Sequence, residues 1–243
     1  MEYIVILIGG FIIGIIGVIF GGSMFLSLPF WQTMFPTISY GQVVGNIKVG
    51  SFFRGFASTL STWKKINLKQ NLIIIIPFVV SSIIGTMAIA KLDQNFLIYG
   101  VVGAIILSEI SPKLAHLVNN KTRIIFAILL GLYTGFIGAG ISILLVALLR
   151  TIFPKNNQIV FVKIQARFIE TTASLFVIMA HIYYGNIIFP LWLLWAGGMF
   201  AGGYLGGHIL KKTLHISEKA QRIYLIIVYL IALLPFLIKF LSN

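Results

Sequence analysis

Ten apolar segments, separated by short gaps, account for most of this 243-residue chain. Only 9% of its residues are charged and 59% are hydrophobic, whereas a soluble domain carries roughly 25% charged residues. Such a chain cannot cover its own surface in water. The sequence therefore reads as an integral membrane protein, a polytopic helical bundle of all-α class. The segments are Tyr3–Phe20, Ser23–Phe35, Gly41–Trp63, Asn71–Ala90, Phe96–Ile110, Arg123–Gly138, Ile141–Phe153, Gln158–Tyr184, Ile187–Leu210 and Gln221–Phe240.

Two of them are too short to span. A crossing needs about 20 helical residues for roughly 30 Å of hydrocarbon, and Ser23–Phe35 and Ile141–Phe153 reach only about 20 Å. Each follows a glycine-rich break, at Gly21-Gly22 and at Gly140. Broken helices at membrane depth are tolerated where they are buried in protein or line a cavity. These short segments are expected to be half-helices or re-entrant arms.

The gaps set the orientation. With strict alternation, one side collects nearly all loop Lys and Arg, among them Lys64, Lys65, Lys69, Lys113, Lys155, Lys211 and Lys212. The other collects only Lys91 and Lys239. The positive-inside rule makes the first side cytoplasmic and places both termini outside a plasma membrane. The same pattern explains the net charge of +13 as anchoring and argues against nucleic acid. Met1–Phe20 lacks a basic n-region and a small-residue cleavage site, so it reads as a retained helix.

The second half echoes the first. GIIGVIFGGS (Gly14–Ser23) returns as GFIGAGIS (Gly135–Ser142), and TMFP (Thr33–Pro36) returns as TIFP (Thr151–Pro154). Five segments per half is an odd number, so the second half enters from the opposite side. That predicts an inverted repeat, with residues 1–110 as one half, 111–122 as a polar cytoplasmic linker and 123–243 as the other. Secondary transporters built this way hold their site at the repeat interface.

Charges inside segments mark the chemistry, because they are expensive there and usually face an interior or a water-filled path. Lys48 lies about 12 Å into the third segment, with Asn46 and Ser51 as neighbouring donors. Lys163, Arg167 and Glu170 share one helical face in the eighth. Aligning the halves pairs Asn46 and Lys48 with Gln165 and Arg167, which predicts two amide–cation pairs converging on one small anion. On that face Arg167 is also expected to pair with Glu170, and Lys163 to reach the cytoplasmic surface. Glu170, the only carboxylate deep in a segment, is the candidate for proton coupling. Arg54, about 120° round the helix from Lys48, suits gating or anchoring. Ser23 and Ser142 begin the half-helices, where a serine either caps the helix or joins free N–H groups in attracting an anion. Gly21, Gly22 and Gly140 would let backbone approach that anion.

Other chemistries find little support. The chain has no Cys and only five acidic residues. It carries no internal carboxylate pair and no HExxH or GxSxG signature, so no cofactor, metal site or enzymatic activity is expected. His116, His181, His208 and His215 are scattered. Trp192, Trp195 and Tyr183-Tyr184 read as interfacial aromatics. A passive anion channel or a carboxylate permease would share the basic site with a carrier. Oligomeric state is left open, a homo-oligomer included.

The paired motifs GIIGVIFGGSMFLSLP and GLYTGFIGAGIS, each opening a half, and the closing run GGMFAGGYLGG with a basic turn after it, resemble the TauE/SafE family of transmembrane sulfite and organosulfonate exporters. The resemblance covers nearly the whole chain. It implies a membrane carrier for small sulfur-containing or organic anions.

Overall fold

The computed structural model describes residues 2–89, 96–114, 117–119, 122–153, 159–212 and 218–241. Lys91, His116, Lys121, Pro154, Lys155 and His215, and with them part of the 111–122 stretch, lie outside the described residues. Among the described residues there are ten α-helices and no strand. They are α1 (Glu2–Ile19), α2 (Ser23–Met34), α3 (Tyr40–Thr62), α4 (Leu68–Ile89), α5 (Phe96–Leu114), α6 (Arg123–Phe136), α7 (Ile141–Ile152), α8 (Ile159–Tyr183), α9 (Leu191–Lys212) and α10 (Glu218–Leu241).

Each apolar segment is one helix, because a continuous apolar run can satisfy its backbone internally only by coiling. Most boundaries agree with the sequence reading to within three residues, and two differ by four. α5 runs on to Leu114, into the stretch read as linker, and α9 begins only at Leu191, behind Pro190. Helices α1 and α4 are long and apolar enough to cross a membrane. Helices α2 and α7 have 12 residues each and reach about 18 Å.

The molecule is apolar outside and polar within. Ile4, Ile76, Ile125 and Leu230 present their side chains outward, while Asn46, Lys48, Arg54, Gln165 and Glu170 are buried. That suits hydrocarbon as the surrounding solvent and is the reverse of a soluble fold.

Glycine seams bring the helices together. α9 lies along α1, with Gly198 against the Leu7 carbonyl and Gly202 against the Phe11 carbonyl. α6 lies along α4 in the same way, with Gly131 against Phe78 and Gly135 against Ser82. α3 packs on α9 and α8, and α4 on α8. Small residues allow this approach where lipid offers no hydrophobic drive between helices. Trp195 is not interfacial. It is fully buried, stacked on Phe30 at 5.3 Å and edge-on to Trp31 at 5.7 Å, with its indole against Gly50 of α3. Tyr183, by contrast, is exposed.

A Cβ at Gly135 or Gly202 would collide with a backbone carbonyl that cannot swing aside, whereas one at Gly103 meets nothing within 4 Å. Gly135→Val and Gly202→Val should each destabilise the protein by about 1–3 kcal/mol, read as earlier thermal unfolding in detergent. Gly103→Ala should leave the transition unchanged.

Candidate basic site between two broken helices

Both breaks are made by glycines in the left-handed region. Gly21 and Gly22 have φ of 89° and 67°; Gly138 and Gly140 have φ of 70° and 74°. Side chains rarely adopt this backbone, so glycine is the residue that permits the reversal. α1 and α6 therefore end inside the protein, and α2 and α7 begin there. Gly22 and Gly140 are the N-caps of the short helices, and no side chain caps either one. Ser23 and Ser142 are thus not the caps: they sit one and two residues past the reversal.

A helix that ends inside leaves carbonyls without partners. At the end of α1, Arg167 Nη2 of α8 donates to the Gly17 carbonyl at 2.7 Å and to the Val18 carbonyl at 3.3 Å. Lys163 Nζ donates to the Ile19 carbonyl at 3.2 Å, and the Tyr224 hydroxyl to that of Gly21 at 3.0 Å. At the end of α6, Lys48 Nζ of α3 donates to the Thr134 carbonyl at 2.8 Å. Cations are favoured at helix C-termini, where the helix dipole is negative. Lys163 therefore does not reach the surface. It is buried with its head on the broken end of α1.

Glu170 lies between these ends. Its Oε1 accepts from Arg54 Nη2 at 3.0 Å, and its Oε2 accepts from the Ser142 hydroxyl at 2.6 Å. Arg167 Nη1 is 3.7 Å from the same Oε2. The Arg167–Glu170 pair expected from spacing exists but is the looser one. The tighter partner is Arg54, from the other half of the chain, whose long side chain overcomes the 120° offset on α3. Gly17 makes room for it, since a Cβ there would lie 2.6 Å from Arg54 Nη1. Donors remain to spare: Arg54 Nε and Nη1 and Arg167 Nη1 are buried without a hydrogen-bond partner among the described residues.

Two small cavities flank this cluster. Lys48, Ser51, Ser23, Gly22, Gly140 and Glu170 line one, together with Gly138 and Ser174. Gly21, Lys163 and Arg167 line the other, and Ser142 belongs to both. Each has room for little more than a water molecule.

The amides do not join the cations. Asn46 donates to the Gln42 and Asn186 carbonyls and accepts from Ile188 N–H, which ties α3 to the turn after α8. Gln165 accepts from Asn67 N–H and the Asn71 side chain and donates to the Lys65 carbonyl, which ties α8 to the turn after α3. Residues two apart on a helix point about 200° apart, so an amide at i cannot share the direction of a cation at i+2. Gly138, Thr134 and Ser174 also belong to the site, beyond the residues expected from the sequence. Ser174 lies four residues past Glu170 on its face, and Gly138 stands within the GFIGAGIS echo, so both carried a signal.

Against known proteins, the model of the family described as "Sulfite exporter TauE/SafE" matches residues 6–235. This chain belongs to the TauE/SafE family. No curated protein and no solved structure gives a significant match. TauE/SafE proteins are membrane transporters rather than enzymes, which agrees with the all-helical, apolar-faced architecture.

Gly22 and Gly140 combine left-handed backbone with a place on the cavity wall. Gly22→Leu and Gly140→Leu should abolish transport while reducing folded yield far less, compared as sulfite flux per milligram of monodisperse protein. Equal losses of flux and yield would assign both glycines to packing.

Proposed function

We propose that this TauE/SafE protein is a secondary carrier that exports small sulfur-containing oxyanions, sulfite or an organosulfonate, by alternating access at the cluster between the two breaks. One observation carries the reading. Each half of the chain supplies the cation that completes the other half's broken helix, Lys48 at Thr134 and Arg167 at Gly17. A rocking of one half against the other would then displace these donors together with the cavities beside them.

The halves are proposed to be an inverted repeat, 1–110 and 123–243, joined by a cytoplasmic linker at 111–122, with both termini outside. Helix packing agrees with that exchange. α1 on α9 has its counterpart in α6 on α4, α3 on α9 in α8 on α4, and α2 against α10 in α7 against α5. The amide ties of Asn46 and Gln165 are reciprocal in the same sense. In this reading Lys48 and Arg167 hold the anion, with Ser23, Ser51, Ser142 and the N-termini of α2 and α7 as hydrogen-bond donors. Glu170 and Arg54 act as the gate, with a proton on Glu170 as the coupling ion.

Lys48→Gln and Arg167→Gln should each weaken sulfite binding by about 1–3 kcal/mol, the range for hydrogen bonds to charged groups. Lys65→Gln, on an exposed turn, should not. Calorimetry on purified protein reads the binding, and sulfite counterflow in proteoliposomes reads the carrier mechanism. Wild-type affinity in either deep-cation variant would remove the shared site, and flux without counterflow would indicate a channel.

A further inference from the structure

We infer that the Glu170 carboxylate occupies the anion's own position and that the transported oxyanion must displace it; this rests on the reading above. Glu170 presents an O–C–O edge to the donors that an O–S–O edge would seek. Arg54 Nη2 is on one oxygen at 3.0 Å, the Ser142 hydroxyl is on the other at 2.6 Å, and Arg167 Nη1 approaches the second at 3.7 Å. Both arginines are buried and, among the described residues, keep nitrogens with no hydrogen-bond partner, Nε and Nη1 on Arg54 and Nη1 on Arg167. The carboxylate therefore uses only part of the donor set assembled around it. A pyramidal oxyanion has a third oxygen to engage the rest.

Space points the same way. The cavities on either side hold little beyond a water, so no sulfite fits while Glu170 stays where it is. The cavity that contains Glu170 on its wall also contains Lys48 and Ser51, and the Lys48 ammonium, with three N–H donors and one of them on Thr134, can serve the anion and the displaced carboxylate together. Charge adds a further reason. Among the described residues Lys48, Arg54 and Arg167 gather round one buried carboxylate, and buried like charges without a counter-ion are costly. In the empty carrier Glu170 supplies that counter-ion, and the anion adds the second negative charge the cluster lacks. Arg54 becomes a direct ligand of the anion and also the residue that sets which edge is read. Chloride, with no such edge, gains nothing comparable.

Truncating Glu170 should uncover the position. Full-length Glu170→Ala, purified in detergent, is titrated with sulfite, with formate as a carboxylate that can refill the hole, and with chloride as a control, following the thermal unfolding transition. The variant should be stabilised by sulfite and by formate at concentrations about tenfold or more below those the wild type needs, a gain of about 1.4 kcal/mol. Chloride should stabilise both proteins alike. Glu170→Gln serves for the same titration where the alanine variant is not recovered as monodisperse protein. An unchanged or higher sulfite requirement in the variant, with the wild type still responding, would overturn the displacement model and leave the anion site standing. A wild type and variants that all ignore sulfite would remove both. Failure of both variants to fold even in saturating sulfite would also count against displacement, because the anion should replace the carboxylate's charge.

Discussion

Backbone carbonyls exposed by two interrupted helices are the constraint on which the interior depends. A transmembrane helix satisfies its own peptide groups only while it continues, and stopping inside the protein strands the last carbonyls without water. The chain stops α1 and α6 at left-handed glycines and then brings Arg167 and Lys163 to one end and Lys48 to the other. Each cation gains a helix C-terminus, which offsets part of its burial cost. Neither feature is comfortable alone: the breaks would leave bare carbonyls, and the cations would be stranded charges.

Because each cation belongs to the half opposite its helix end, the breaks also lock the two halves together. The glycine seams of α1 with α9 and α4 with α6 bring backbone into contact, and Gly55 of α3 lets the central helices α3 and α8 meet closely at Thr171. Arg54 and Glu170 cross that meeting line at 3.0 Å. Breaking such a buried pair by removing one partner is strongly unfavourable, commonly by about 3–5 kcal/mol. On the displacement proposal a replacement anion would lower that cost, so movement at this point and the presence of an oxyanion would be energetically linked.

Much of this was legible in the residues. Apolar run lengths gave ten helices within a few residues of their ends, and the two glycine-rich echoes marked the breaks. Lys48, Arg167 and Glu170 stood out because charge is rare in hydrocarbon. The amides lie away from the cations for a geometric reason. Pairing Asn46 with Lys48 and Gln165 with Arg167 respected the repeat but ignored the 200° between alternate helical positions. In the structure both amides serve the turns after α8 and α3 instead. The Arg54 contact was not legible from helical position, because a guanidinium on a long stem reaches past its backbone face to Glu170. Lys163 lies on the broken end of α1 and not at the surface, and nothing in the sequence shows that the Ile19 carbonyl needs a donor. Such partners come from chain segments far away, and periodicity is silent about them.

The most direct test of the central claim is to locate the anion itself. Selenite is a heavier analogue of sulfite, and its anomalous scattering fixes the position of selenium in crystals of the full chain. The account predicts a peak bounded by Arg54, Arg167, Ser142 and Lys48, with the Glu170 side chain swung off Arg54 into the cavity beside it. A peak outside the space between the two breaks, or one beside a Glu170 still bonded to Arg54 and Ser142, would contradict it.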